Sequence, residues 1–204
     1  MKSSSAIVEN NMDLPENLKK VLADVNKAIR ARRSVLLIGK PGCGKTMVAR
    51  RAGFLPHELD AKYQEISAIQ RMSGLENNKA IPQPFRAPHH TVSVTGLVGN
   101  GKHFRPGELS LAHGGVLFLD EVDEFPRRCL EAVAHAYEHK CVEFGLNSQW
   151  LRGLPADFAL IGAMSIPDVE ALRANEFATP ILQGLSDRKK RVVDILGFDV
   201  VITL

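Results

Sequence analysis

At 204 residues, 45% hydrophobic and 24% charged, the chain has the size and composition of one soluble globular domain with a real core. The longest apolar runs fall far short of the roughly 18 residues of a membrane span. The opening Met1-Lys2-Ser3-Ser4-Ser5-Ala6-Ile7-Val8-Glu9 has no signal-peptide hydrophobic region, so membrane classes are excluded and the expected compartment is the cytoplasm. A net charge of +3 pulls only weakly toward anionic partners, and the three cysteines, Cys43, Cys129 and Cys141, fit a reducing compartment without a disulfide framework.

In chain order, residues 1–12 are polar and read as a flexible tail, with one nucleotide-binding domain over residues 13–204. Asp13-x-x-Glu16 and an early Pro15 signal a helix, with Leu18, Val21, Leu22, Val25, Ala28 and Ile29 on one face. Residues 34–38 read as a buried strand, followed by a helix from about Gly44 to Gly53 and another over residues 60–72. Prolines and glycines punctuate residues 81–107, which read as a protruding loop or short hairpin with Asn100-Gly101 as its turn and one alternating run, residues 91–95. Further expected elements are a strand over residues 116–119, a helix over residues 126–139 and a hairpin over residues 141–154. Strands over residues 158–163 and 192–196 complete the reading. Strands alternating with helices make the fold class α/β, a parallel sheet covered on both faces.

Residues 39–46 read Gly-Lys-Pro-Gly-Cys-Gly-Lys-Thr, a complete G-x-x-x-x-G-K-T phosphate loop placed between a strand and a helix. Backbone N–H groups must turn inward to cradle a polyphosphate, and a Cβ at Gly42 or Gly44 obstructs the turn or the approach. The expected ligands are ATP and Mg²⁺, held by Gly39, Lys40, Pro41, Gly42, Cys43, Gly44, Lys45, Thr46 and Met47. Lys45 meets the β- and γ-phosphates and Thr46 offers its hydroxyl to the metal. The run 116–119 ends in Asp120-Glu121, which puts two carboxylates at the carboxyl end of a buried strand, where open α/β sheets bind ligands. Asp120 is the expected second metal contact, and Glu121 the group that orients or deprotonates the attacking water.

Pro84-Phe85-Arg86-Ala87-Pro88-His89-His90, then the stretch from Arg105-Pro106-Gly107-Glu108 through His113-Gly114-Gly115 to Asp120-Glu121, resembles the magnesium-chelatase-like AAA+ ATPases, and within them the ComM/YifB branch. Glu124-Phe125-Pro126-Arg127-Arg128 and Leu130-Glu131-Ala132 continue the likeness, which runs from about Ser34 to Ile195. The resemblance implies a P-loop AAA+ core with a five-stranded parallel sheet in the order 5-1-4-3-2. It also implies a helix-2 insert near residues 84–106 and a pre-sensor β-hairpin near residues 141–154. It puts Ser165 at the sensor-1 position, where the family usually has Asn, and Arg188 of Leu185-Ser186-Asp187-Arg188 as the arginine finger reaching a neighbouring subunit's ATP. Arg188 also reads as part of a solvated Arg-Lys-Lys-Arg run, with Lys189 and Lys190 where the family has an apolar residue and an acid. Asn147 or its neighbours stand where relatives carry a hairpin arginine.

The implied activity is Mg²⁺-dependent ATP hydrolysis in a self-assembled ring, a hexamer, working on DNA in recombination or uptake. The alternatives are a chelatase-type motor subunit and an ATP-binding switch with little turnover. The helical lid of the family would begin near Leu204, so a separate lid-bearing polypeptide is an expected partner, and the family's Lon-like domain falls outside this sequence. His89-His90, with Arg86, Lys102, His103 and Arg105, reads either as a basic pore loop facing DNA phosphates or as packing against the core. His135-x-x-x-His139 lacks the Glu of H-E-x-x-H, Ala136 standing there, and is not read as a zinc site.

Overall fold

Alternate residues of Val35–Gly39 (β1) face opposite ways: Leu36 and Ile38 enter one apolar cluster, Val35 and Leu37 another. That two-sided burial makes β1 a central strand. The computed structural model describes residues 14–52, 56–75, 83–103, 105–146, 149–166 and 185–204. The chain runs from helix α1 (Glu16–Arg30) through β1 to α2 (Lys45–Arg51) and α3 (Pro56–Met72). After strand β2 (Phe85–Arg86) come helix α4 (Val94–Val98), β3 (Gly99–Asn100), a 3-10 turn at Gly101–His103, β4 (Arg105–Pro106) and the short helix α5 (Glu108–Leu111). Strand β5 (Val116–Leu119), a 3-10 turn at Val122–Glu124 and helix α6 (Arg127–His139) follow. The remaining elements are β6 (Cys141–Leu146), β7 (Gln149–Pro155), β8 (Ala159–Ser165), helix α7 (Asp187–Leu196) and β9 (Val200–Thr203).

Five strands form one parallel sheet in the order β2-β5-β8-β1-β9. Ranked by place in the chain, its members from the β9 edge are the fifth, first, fourth, third and second. One face packs on α6 and α7 through Leu36, Leu117, Leu160, Leu130 and Val192. The other packs on α1 and α2 through Val35, Phe118, Ile161, Leu22 and Val48. Parallel order brings the carboxyl ends of β1, β5 and β8 to one edge. Gly39 lies level with Ser165, and Leu119 with Gly162.

Three expectations are corrected. Residues 192–196 are not a strand but the second half of α7, because Val192 and Leu196, four apart, bury together while Asp194 between them stays exposed. The fifth strand is β9, set off from α7 by Gly197 at φ 55° and missed because the apolar run before that glycine fits a strand by composition. Residues 91–95 alternate in polarity, yet Ser93 caps α4 by accepting the Gly96 amide at 3.0 Å, and local capping prevails over the period-2 pattern. Phe85–Arg86, placed with the loop, pairs with Val116 and Leu117 as the sheet's edge, so the insert begins after it and consists of α4 with the β3-β4 hairpin. The hairpin expected over residues 141–154 is β6-β7, pairing Cys141 with Pro155 and Leu146 with Gln149. The tail, Asp13, Gly53 and Asn147 lie outside the described residues. Among those described, no helix is long and apolar enough to cross a membrane.

Candidate nucleotide site

The loop between β1 and α2 turns through positive φ at Gly42 (77°) and Gly44 (100°). At Gly42 the requirement is conformational alone, since a Cβ there would meet nothing within 4 Å. At Gly44 there is a second reason: a Cβ would sit 2.7 Å from Leu18 Cδ1, because α1 lies against the loop. Lys40, Pro41, Gly42 and Met47 are exposed, Cys43, Gly44 and Thr46 half-buried, and Gly39 buried at the end of β1.

Lys45 is buried, with 7% of its surface exposed. Its Nζ donates to the carbonyls of Gly39 at 3.0 Å and Lys40 at 2.9 Å and lies 3.8 Å from Cys43 Sγ. An ammonium held by its own loop's carbonyls is positioned without a fixed carboxylate partner among those contacts, so an incoming polyanion competes with neutral acceptors only. Beside it, Thr46 Oγ1 donates to Asp120 Oδ2 at 2.8 Å, joining the start of α2 to the end of β5 across 74 residues of sequence. A hydroxyl and a carboxylate at that spacing are hard oxygen donors of the kind Mg²⁺ selects.

Glu121 stands at φ 49°, ψ 52°, in the left-handed region, with its amide donating to Asp120 Oδ1 at 3.1 Å. A non-glycine residue there costs roughly 1–3 kcal/mol, and the two neighbouring carboxylates meet different partners, Asp120 accepting from Thr46 and Glu121 lying near His90. The Glu121 carboxylate is 63% exposed and lies 3.8 Å from His90 Nδ1. His90 lies tilted against His89 with centroids 4.0 Å apart and meets Phe125 edge-on at 6.4 Å. His90 thus packs against the core residue Phe125 and beside the acidic turn of the site.

Ser165 ends β8, level with Gly39, and the Ile166 amide donates to Gly39 O at 3.2 Å. Arg188 Nη2 donates to Glu124 Oε2 of its own chain at 2.7 Å, and the neighbouring Lys189 Nζ donates to Ser165 O and lies 3.8 Å from Asp123 Oδ2. Lys45, Thr46, Asp120, Glu121 and Ser165 therefore gather at one sheet edge, with Arg188 on the flank. His90 and Lys189 belong to the same edge, and sequence reasoning missed both placements. Each is a through-space contact for which no spacing rule exists. His135 and His139 stack at 4.2 Å, and no group of three or more metal-ligand residues occurs among the described residues.

The profile of the family described as magnesium chelatase, subunit ChlI matches residues 18–181. YifB of Escherichia coli (strain K12) is 42% identical over 135 residues, covering 65% of this chain and 26% of YifB. Competence protein ComM of Haemophilus influenzae is 37% identical over 162 residues, covering 77% of this chain and 32% of ComM. The chain thus spans about a third or less of the length of these relatives. NtrX from Brucella abortus, solved in complex with ATP, superposes with a TM-score of 0.53 at 17% identity over 99% of this chain and 40% of NtrX, a likeness of fold alone. With the profile matching most of the chain and ComM 37% identical over 77% of it, the chain belongs to the magnesium chelatase ChlI family, as a ComM- and YifB-related AAA+ protein.

Proposed function

We propose that this chain binds ATP with Mg²⁺ and hydrolyses it. The observation that carries the reading is the 2.8 Å contact between Thr46 and Asp120 beside the buried, carbonyl-held Lys45, which brings hard oxygen donors and an ammonium together at the mouth of one loop. Bound Mg²⁺ supplies charge neutralisation to the phosphates. Lys45 exchanges its loop carbonyls for phosphate oxygens, and the inward amides of residues 39–47 hold the chain of phosphates. Thr46 and Asp120 hold the cation, and Glu121 accepts the proton of the attacking water. The Ser165 hydroxyl hydrogen-bonds the γ-phosphate or that water, and Arg188 acts on the nucleotide of a neighbouring copy in a ring. Exposed Lys102, His103 and Arg105 on the insert offer positive charge to phosphates and support DNA as the polymer on which such a ring works.

The in-chain pairing of Arg188 with Glu124 favours a second reading, a nucleotide-binding switch with little turnover. Steady-state ATP turnover with Mg²⁺, beside Lys45→Ala and Glu121→Gln, separates the two. A hydrolase shows turnover that Glu121→Gln lowers about 10²–10⁴-fold while ATP still binds, and Lys45→Ala weakens ATP binding about 100-fold. Lys45-dependent binding without turnover rejects the hydrolase for this chain.

A further inference from the structure

The turn that carries Glu121 and the strand end that carries Ser165 are separate pieces of chain, and one side chain joins them. Lys189, in the first turn of α7, donates from Nζ to the Ser165 carbonyl and lies 3.8 Å from Asp123 Oδ2. Its side chain is only 20% exposed and that of Asp123 only 14%, so the contact is shielded from solvent to a degree that surface pairs are not. The adjacent pair, Arg188 with Glu124, is 53% and 43% exposed and is an exchangeable contact by comparison. On the acid side, Asp123 belongs to the 3-10 turn Val122–Glu124, which Glu121 opens and which closes through the Glu124 amide on Glu121 O at 2.8 Å. On the strand side, Ser165 is level with Gly39 of the phosphate loop, whose carbonyl accepts from Lys45.

Given the proposed ATP site, on which this inference rests, we propose that Lys189 is a positioning residue for the γ-phosphate end of that site. It fixes the Ser165 strand end to the acidic turn, so that a group bound between Ser165 and Glu121 is sensed by both as one unit. Its first consequence concerns discrimination of ATP from ADP, because only ATP carries the phosphate that reaches both ends. Lys189 is also a site where one methylene-rich cation replaces what a longer sensor side chain would do: Ser165 is short, and tying down its backbone compensates for reach by rigidity.

The test uses the full chain and equilibrium binding of ATP and ADP with Mg²⁺ for the wild type, Lys189→Met, Lys189→Arg and Asp123→Asn. Lys189→Met is expected to lose about tenfold of the ATP-over-ADP preference, the scale of one hydrogen bond to a charged group, with ADP affinity unchanged. Lys189→Arg, which keeps a donor cation, should recover part of the preference, and Asp123→Asn should lose part of it. Asp123→Asn keeps the side-chain shape, so the inference stays testable if Lys189→Met fails to fold. An unchanged preference in both Lys189→Met and Asp123→Asn, an equal loss of ATP and ADP affinity, or a wild type with no preference overturns the inference. A wild type that discriminates through Lys189 yet turns nothing over supports it while rejecting the hydrolase, and a wild type that binds neither nucleotide rejects both.

Discussion

Gly44 and Asp157 show how much a single residue carries at the two ends of this sheet. At the carboxyl end, the sequence pattern alone located Gly42, Gly44, Lys45 and Thr46, because a polyphosphate cradle has a fixed spacing. At the amino end, Asp157 gathers Lys62 by a hydrogen bond, Arg32 at 3.2 Å and Lys140 at 3.7 Å, and no spacing announces it. Burial pushes the Asp157 carboxyl up, and the Lys62 hydrogen bond with the charges of Lys62, Arg32 and Lys140 outweighs this, leaving it below its ordinary 3.8. Buried His113, which accepts the Asp157 amide at Nδ1 at 3.1 Å and meets Glu65 through Nε2 at 2.8 Å, is lowered from its ordinary 6.5, chiefly by burial. Both folded-state values lie below the unfolded ones, so both contributions to stability are present above the unfolded values and are lost as pH falls through the folded ones. Urea midpoints should therefore decline from about pH 7 downward as the unfolded chain takes up the His113 proton first, and fall again below about pH 4. At neutral pH, Asp157→Asn should cost about 1–3 kcal/mol and flatten the lower limb. An acid limb identical to the wild type's would exclude Asp157 as its source.

Among the elements, α1 is the one whose sequence signal and tertiary role separate most clearly. Its apolar stripe of Leu18, Val21, Leu22, Val25, Ala28 and Ile29 was legible from helical spacing, and all but the half-buried Val21 are buried. What the stripe could not say is where it packs: Leu18 lies over Gly44, so the helix that precedes the sheet braces the loop that would hold phosphate. Leu18→Ala should lower stability by about 2–5 kcal/mol and also weaken ATP binding, whereas Leu22→Ala, one helical turn beyond Leu18 in the same cluster, should lower stability with less effect on binding. Thermal unfolding beside nucleotide titration separates these effects, and equal binding losses in the two variants would remove the bracing role. The helix α7 teaches the complementary lesson. A short apolar run, Val192-Val193-Asp194-Ile195-Leu196, fits a strand or a helix by composition, and its burial against the sheet face selected the helix.

For the whole molecule, the parallel order β2-β5-β8-β1-β9 brings the phosphate loop, the acid pair and Ser165 to one edge, and leaves Arg188 on the flank paired with Glu124. If Arg188 acts on a neighbour's nucleotide, that pair must open on assembly. Turnover per chain should then rise with protein concentration in the wild type and stay low and concentration-independent in Arg188→Ala. Glu124→Gln should reach the wild-type plateau at a lower concentration by freeing the guanidinium. Turnover that is flat with concentration, with mass by light scattering unchanged by ATP, would exclude the trans role. The sequence by itself determined the α/β class, the family likeness, the loop and the acid pair, because these are local patterns: four or five residues whose spacing is dictated by backbone turns or by strand burial. Only the tertiary structure decided that residues 192–196 are helical, that Phe85–Arg86 closes the sheet edge, and that His90 and Lys189 stand beside Glu121 and Ser165. Those facts depend on contacts between distant parts of the chain, whose partners are chosen by packing and not by any spacing along it.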